Sequence, residues 1–274
     1  MAKAAFIVRR LLSGLFAFVA LIGGALSGEP YIVSGDAQIT RSLTYPFHEG
    51  VCFGQGLTSD GTYFYGFGAV KPVDYNAITV LDMQTGEIVR RREMCLPREL
   101  VLRGYAHLGD GCLLDGKLYI ALEDFGFRHP GVIVYDAETL EYLDFHTIPD
   151  ECRGNGRIPW CAIENGVLYF TQSNDVNELR MLRLSDFSFL GTVPLDRTLY
   201  KVQGGEFWDG TLYMVTNEGW REKTVYAVAP QTGHVETCFC EAPASSTRKA
   251  RESRSARWRT ARCSISSRSE LWFG

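Results

Sequence analysis

Five residues are the first candidates for chemistry: Gln55, His107, Asp110, Trp160 and Gln203. They share one kind of place in the chain. Gln55, Asp110 and Trp160 each stand five residues before an Asp-Gly or Asn-Gly pair, Gln203 stands six before and His107 eight before. A carboxyl group such as that of Asp110 can give or take a proton, and His107, three residues upstream, can do the same near neutral pH. Polar and aromatic groups that converge in a concavity make a small-molecule site. The same groups can also satisfy one another and a few ordered waters.

Other constellations are weaker. His48, His107, His129, His146 and His234 show no H-E-x-x-H or comparable metal spacing. The eight cysteines include no C-x-x-C pair, so a zinc site has little support. Cys152 and Cys161 lie nine apart and could pair across a loop, whereas a buried free thiol is the commoner fate of such residues. Asp124, Asn174, Asp175, Asn217 and Glu218 follow corresponding strands and could form a polar ring for a cation or a polar ligand, or a solvated set of loops. No G-x-S-x-G, Walker or Rossmann pattern is present, and no cofactor is expected.

The elements that must position these residues repeat along the chain. Asp60-Gly61, Asp115-Gly116, Asn165-Gly166 and Asp209-Gly210 each run into an aromatic strand, and such pairs suit type I′ hairpin turns. A second series follows: Thr85-Gly86, Thr139-Leu140, Ser188-Phe189 and Thr232-Gly233, each after an apolar strand. Each unit reads as strand, Asp-Gly turn, strand, loop, strand, Thr-Gly turn, strand. Self-similarity of this period marks the blades of an all-β propeller. Four blades are visible, with room for a fifth that is incomplete or degenerate. The segment from Tyr31 to Thr40 could supply an outer closing strand.

Several short matches in the same order resemble the glutaminyl cyclotransferase family of five-bladed propellers. They are Phe53-Gly54-Gln55-Gly56-Leu57, Leu108-Gly109-Asp110-Gly111 with Lys117-Leu118-Tyr119, Tyr135-Asp136-Ala137-Glu138-Thr139-Leu140, and Trp160. The resemblance covers about residues 45 to 240. It implies cyclisation of an N-terminal glutamine, with Asp110 as the acid where the family has Glu. It also implies an aromatic wall at a position held here by Glu123, and a Gly-Lys motif in the last blade that has no counterpart in the tail of this chain.

Charge divides the chain. The net charge is −4, yet residues 1–30 carry Lys3, Arg9 and Arg10 against Glu29, and residues 243–274 carry seven Arg and Lys249 against Glu252 and Glu270. The body between them is therefore strongly acidic, which argues against nucleic acid as a partner. Lys3, Arg9 and Arg10 precede an apolar run from Leu11 to Leu26, the pattern of an export signal with small residues at Ala25 and Ser27. Residues 1–30 are thus expected as a signal peptide or N-terminal anchor, residues 31–242 as the propeller, and residues 243–274 as a basic Arg/Ser-rich tail. The abrupt change at Pro243 favours a frameshifted or truncated final blade over a disordered basic tail. The expected protein is exported, extracellular or periplasmic, or else held at the membrane by an uncleaved N-terminus. Its expected partner is a small molecule or peptide at the channel mouth. Two function classes follow: a non-catalytic recognition propeller, and a glutaminyl-peptide cyclotransferase.

Overall fold

Tight turns set the architecture. Asp115-Gly116, Asn165-Gly166 and Asp209-Gly210 have positive φ at both residues, at 48° and 71°, 52° and 75°, and 48° and 74°. This is the twist that type I′ hairpins need. Blade one differs. Only Gly61 is left-handed there, at 86°, and the Asp60 carboxylate accepts the N–H groups of Thr62 and Tyr63. Its turn is held by a side chain instead of by a second left-handed residue.

The computed structural model describes residues 31–35, 55–70, 75–154, 156–217 and 223–243. The expected signal, the tail from 244 onward and any fifth blade within it lie outside the described residues. Among the described residues there are seventeen strands, one short α-helix, α1 (Arg98–Leu102), and one 3-10 turn (Asp150–Cys152). Blade one comprises β2 (Gly56–Ser59), β3 (Tyr63–Val70), β4 (Tyr75–Asp82) and β5 (Ile88–Glu93). Blade two comprises β6 (Tyr105–Leu114), β7 (Lys117–Asp124), β8 (Gly131–Asp136) and β9 (Tyr142–Thr147). Blade three comprises β10 (Ala162–Glu164), β11 (Val167–Phe170), β12 (Val176–Arg183) and β13 (Phe189–Leu199). Blade four comprises β14 (Val202–Trp208), β15 (Thr211–Thr216), β16 (Lys223–Ala229) and β17 (His234–Pro243). Each is an antiparallel meander, and among the described residues they form four blades of a β-propeller.

The outer closing strand is found on blade four. β1 (Tyr31–Gly35) pairs antiparallel with β17, Tyr31 opposite Pro243 and Gly35 opposite Phe239. It makes this blade five-stranded and covers the edge that β17 would otherwise expose.

The outer turns follow the second repeat with one displacement. Gly86, Leu140 and Gly233 take the left-handed conformation, but blade three places it at Phe187. Its turn is therefore centred on Asp186-Phe187, two residues before the Ser188-Phe189 expected from sequence. The Asp186 carboxylate accepts both the N–H and the hydroxyl of Ser188. An aromatic residue held left-handed is a conformation that sequence reading does not anticipate.

The blades pack through apolar faces. Tyr65, Phe67, Ile78 and Val80 of blade one meet Leu118, Ile120, Leu122 and Tyr135 of blade two. Cys112, Cys161, Phe170 and Leu182 lie between blades two and three. Trp160, Leu179, Leu212 and Met214 lie between blades three and four. The inner strands β2, β6, β10 and β14 thereby converge on the ring axis.

Candidate functional site

Asp110 lies at that axis because β6 is bulged. Leu108 pairs with Leu122 and Gly111 with Ile120, so Gly109 and Asp110 together oppose Ala121. A bulge of this kind re-aims a side chain. Its carboxylate accepts the Leu57 N–H of β2 through Oδ1 at 3.1 Å and the Gly205 N–H of β14 through Oδ2 at 3.2 Å. Its own N–H donates to the Pro159 carbonyl ahead of β10 at 2.8 Å. One residue thus ties together segments of all four blades, with only 3% of its surface exposed.

The axis admits no bulk beside it. A Cβ on Gly56 would lie 2.4 Å from Asp110 Oδ1. A Cβ on Gly205 would lie 2.5 Å from the Trp160 ring. These two glycines let the inner strands approach closely enough for their N–H groups to reach the carboxylate.

A second acid accompanies the first. Glu206, next to Gly205 on β14, accepts the Thr58 hydroxyl of β2 at 3.1 Å. Loss of water pushes its carboxyl up to about 8, and the neighbouring Asp110 charge adds to the effect. Burial likewise pushes Asp110 up to about 7, against the N–H groups of Gly111, Leu57 and Gly205 that favour its charged form. Leu57-Thr58 and Gly205-Glu206 therefore form a reciprocal clamp between blades one and four. Glu206 was not singled out in the sequence. Its signal is the pair of glycines before it, which parallels the glycines that flank Asp110.

The other sequence candidates are spread around this axis. Gln55 precedes β2 and is exposed, with its N–H on the Phe67 carbonyl at 3.2 Å. Trp160 is fully buried and donates from Nε1 to the Thr171 hydroxyl at 3.0 Å. Gln203 sits at a bulge in β14, between the Val202–Thr216 and Gly204–Val215 pairs, and its Nε2 reaches the Ser173 hydroxyl at 3.3 Å. His107 is paired in register with Glu123 on β7, and its Nε2 stands 3.8 Å from Glu123 Oε2.

Glu123 is fully buried. Arg157 Nε also faces its Oε2, at 3.6 Å, and the guanidinium lies 4.6 Å from the centroid of the Phe127 ring. Burial pushes the Glu123 carboxyl up to about 7, with Arg157 acting against it. Hydrogen bonds continue the line across the blades. Ser173 N–H donates to the Arg157 carbonyl at 3.1 Å, and Val202 N–H to the Ser173 carbonyl at 3.0 Å. Arg157, Ser173 and Gln203 are thus linked in series, and Arg157 and His107 face the same Glu123 oxygen near the starts of β6, β10 and β14.

The described members of the polar set make local bonds. The Asp124 carboxylate is engaged by the backbone N–H groups of Arg128 and His129 and by the His129 ring. Asn174 and Asp175 offer their carbonyls to the Gln172 amide, and Asn217 is bonded by Lys223. Glu218 lies outside the described residues. Among the described residues no three His, Cys, Asp or Glu side chains are arranged to hold a metal. Cys152 and Cys161 are both free thiols, so the pairing weighed from their spacing is not formed. Among the described residues no helix is long and apolar enough to cross a membrane.

The fold and its axis define a β-propeller with an acid at its centre. No protein-family model matches the chain, and no curated protein sequence matches it. In structure it is similar to the glutaminyl cyclase of Myxococcus xanthus, at 16% identity over 76% of this chain and 78% of that one, with a TM-score of 0.50. It also aligns with hydrazine synthase of Kuenenia stuttgartiensis, at 13% identity over 74% of this chain and 53% of that one, with a TM-score of 0.43. A luciferin-regenerating enzyme aligns at 12% identity over 76% of this chain and 80% of that one, with a TM-score of 0.43. At these identities the likeness to the cyclase is one of fold.

Proposed function

We propose that this chain is an exported propeller that recognises a small polar molecule or a peptide at its channel mouth, and that Asp110 serves the ring rather than a reaction. The observation that carries this reading is the use of the Asp110 carboxylate: it is buried, and each oxygen holds a backbone N–H from a different blade. A general acid must reach the proton it moves. The groups with open surface are at the rim instead, where Gln55 is exposed and His107, Arg157 and Gln203 are partly so. Selection of random hexapeptides on the folded chain tests the reading. Peptides that bind the chain but not a folded His107→Ala/Gln203→Ala variant support it, and peptides that bind both equally overturn it.

A second reading is cyclisation of an N-terminal glutamine. It is favoured by the burial of the Asp110 carboxyl beside Glu206, which pushes it up to about 7, a value suited to proton transfer near neutrality. The fold likeness to a glutaminyl cyclase is compatible with it. Because one fold hosts many functions, the reading depends on a substrate reaching Asp110.

A further inference from the structure

We infer that the end of the propeller where the inner strands begin docks on an anionic lipid surface, with Leu102 and Phe125 of blade two as the inserting side chains and Arg98 and Arg128 as the cations beside them. The inference goes beyond the mouth reading and stands or falls separately from it.

Three observations carry it. The first is where the exposed apolar side chains lie. Met94, Val101, Leu102, Phe125 and Tyr200 are all in α1 or in the connections at that one end. The other exposed large apolar residues, Val89, Leu143 and Leu190, each stand second in the outer strand of a blade. Leu102 is 76% exposed and Phe125 80%. The two are neighbours, because the Phe125 N–H donates to the Gly104 carbonyl just beyond α1, at 3.0 Å. Both are held out by fixed backbone. Leu100 roots α1 in the core between blades one and two. The Asp124 carboxylate accepts the N–H groups of Arg128 and His129, and the Phe127 N–H returns to the Asp124 carbonyl. Apolar tips on a pre-ordered backbone pay little to insert below a headgroup layer.

The second observation is charge. Residues 98–103 and 125–129 carry Arg98, Arg103 and Arg128 against Glu99 alone, a net +2 on a body that is otherwise acidic. Arg98 and Arg128 are exposed, and Arg103 lies over the Tyr105 ring at 5.3 Å. Exposed apolar tips flanked by arginine suit a surface of anionic headgroups, where each such cation adds to the attraction.

The third is the path of the chain. Tyr31 lies opposite Pro243, the last residue of β17. Because every blade is an up-and-down meander, its fourth strand ends where its inner strand begins. Tyr31 is therefore at the same end as Leu102 and Phe125. The apolar run from Leu11 to Leu26, preceded by Lys3, Arg9 and Arg10, stops only four residues before Tyr31. Five steps of extended chain span at most roughly 17 Å. A bilayer that holds this run therefore faces this end of the propeller.

The test uses the full chain and vesicles of phosphatidylcholine brominated on its acyl chains, with and without phosphatidylglycerol. Two tryptophan variants are compared, each referred to the unsubstituted chain: Phe125→Trp, and Gln84→Trp in an exposed turn at the opposite end. With phosphatidylglycerol present, the Phe125→Trp emission is expected to shift to the blue and to be quenched by the bromines, since inserted side chains sit roughly 5–10 Å into the headgroup and acyl boundary. Gln84→Trp is expected to show neither change. Adding Arg98→Glu and Arg128→Glu to Phe125→Trp should abolish the response, and omitting phosphatidylglycerol should weaken it. Equal quenching at the two positions, quenching at neither, or a response that survives both charge reversals would each overturn the inference. Tethering by the N-terminal run alone gives the second of these outcomes, and the hexapeptide selection decides the mouth reading whichever is found.

Discussion

Asp110 and Gly205 meet across the ring axis. A carboxylate oxygen of blade two accepts the backbone N–H of blade four at 3.2 Å, while the other oxygen holds Leu57 of blade one. Blades one and four carry opposite ends of the described ring. Their inner strands are joined by this side chain and by the Thr58–Glu206 bond, and β1 on β17 guards the outer edge. The candidate catalytic acid is therefore also a closure element, and its substitution should be read first in stability.

Asp110→Asn keeps the shape but replaces one acceptor with an amide NH₂ that faces a backbone N–H. A buried donor left without its acceptor costs about 1–3 kcal/mol. Urea unfolding followed by circular dichroism should show a lower midpoint of that order. An unchanged midpoint would show that the axial bonds contribute nothing to closure.

Stability should fall as the pH rises. Asp110 and Glu206 have folded values near 7 and 8, raised from ordinary values of 3.8 and 4.5. Groups raised in the fold bind more protons there than in the unfolded chain, so their contribution is fully present below about 4 and is lost as the pH climbs through 7 to 8. Glu123, raised to about 7, acts in the same direction. Urea midpoints at pH 5 should exceed those at pH 8.5, and Glu206→Gln should flatten the slope. A midpoint that rises over this range would contradict the upward push on the two axial acids.

Gly205→Ala probes the packing that lets β14 reach the axis. Its Cβ would stand 2.5 Å from the Trp160 ring, and Trp160 has no free surface into which to move. Overpacking of this sort costs about 1–3 kcal/mol. Thermal unfolding should shift down, and the indole emission should report a displaced Trp160. A fully native melting curve would mean that the inner strands can spread without penalty.

Much of this was legible in the residues. Asp-Gly and Asn-Gly pairs before aromatic strands announced the hairpins, because few residue types tolerate consecutive positive φ. The outer strand at Tyr31 was likewise readable, because a propeller ring commonly closes with a strand from the other terminus and Tyr31-Ile32-Val33 stands outside the blade repeat. The axial clamp was not, because it arises from proximity: Leu57, Asp110 and Gly205 are brought together only by ring closure, and Asp110 points inward only because Gly109 adds a bulge. Trp160 reads as a ligand-facing aromatic from its place before a turn, yet Gly205 offers it a seat in the core. Glu123 reads as a charge in place of an aromatic wall. Its relation to Arg157, which lies beyond two strands and a loop, cannot be seen along the chain.

Ammonia release from an N-terminal glutaminyl dipeptide, measured side by side for the chain and Asp110→Asn, tests most directly whether the propeller recognises or reacts. The account predicts no release above the spontaneous rate from either protein, with Asp110→Asn differing only in its unfolding midpoint. Release by the unsubstituted chain that vanishes in a folded Asp110→Asn variant would contradict it and make Asp110 a catalytic acid.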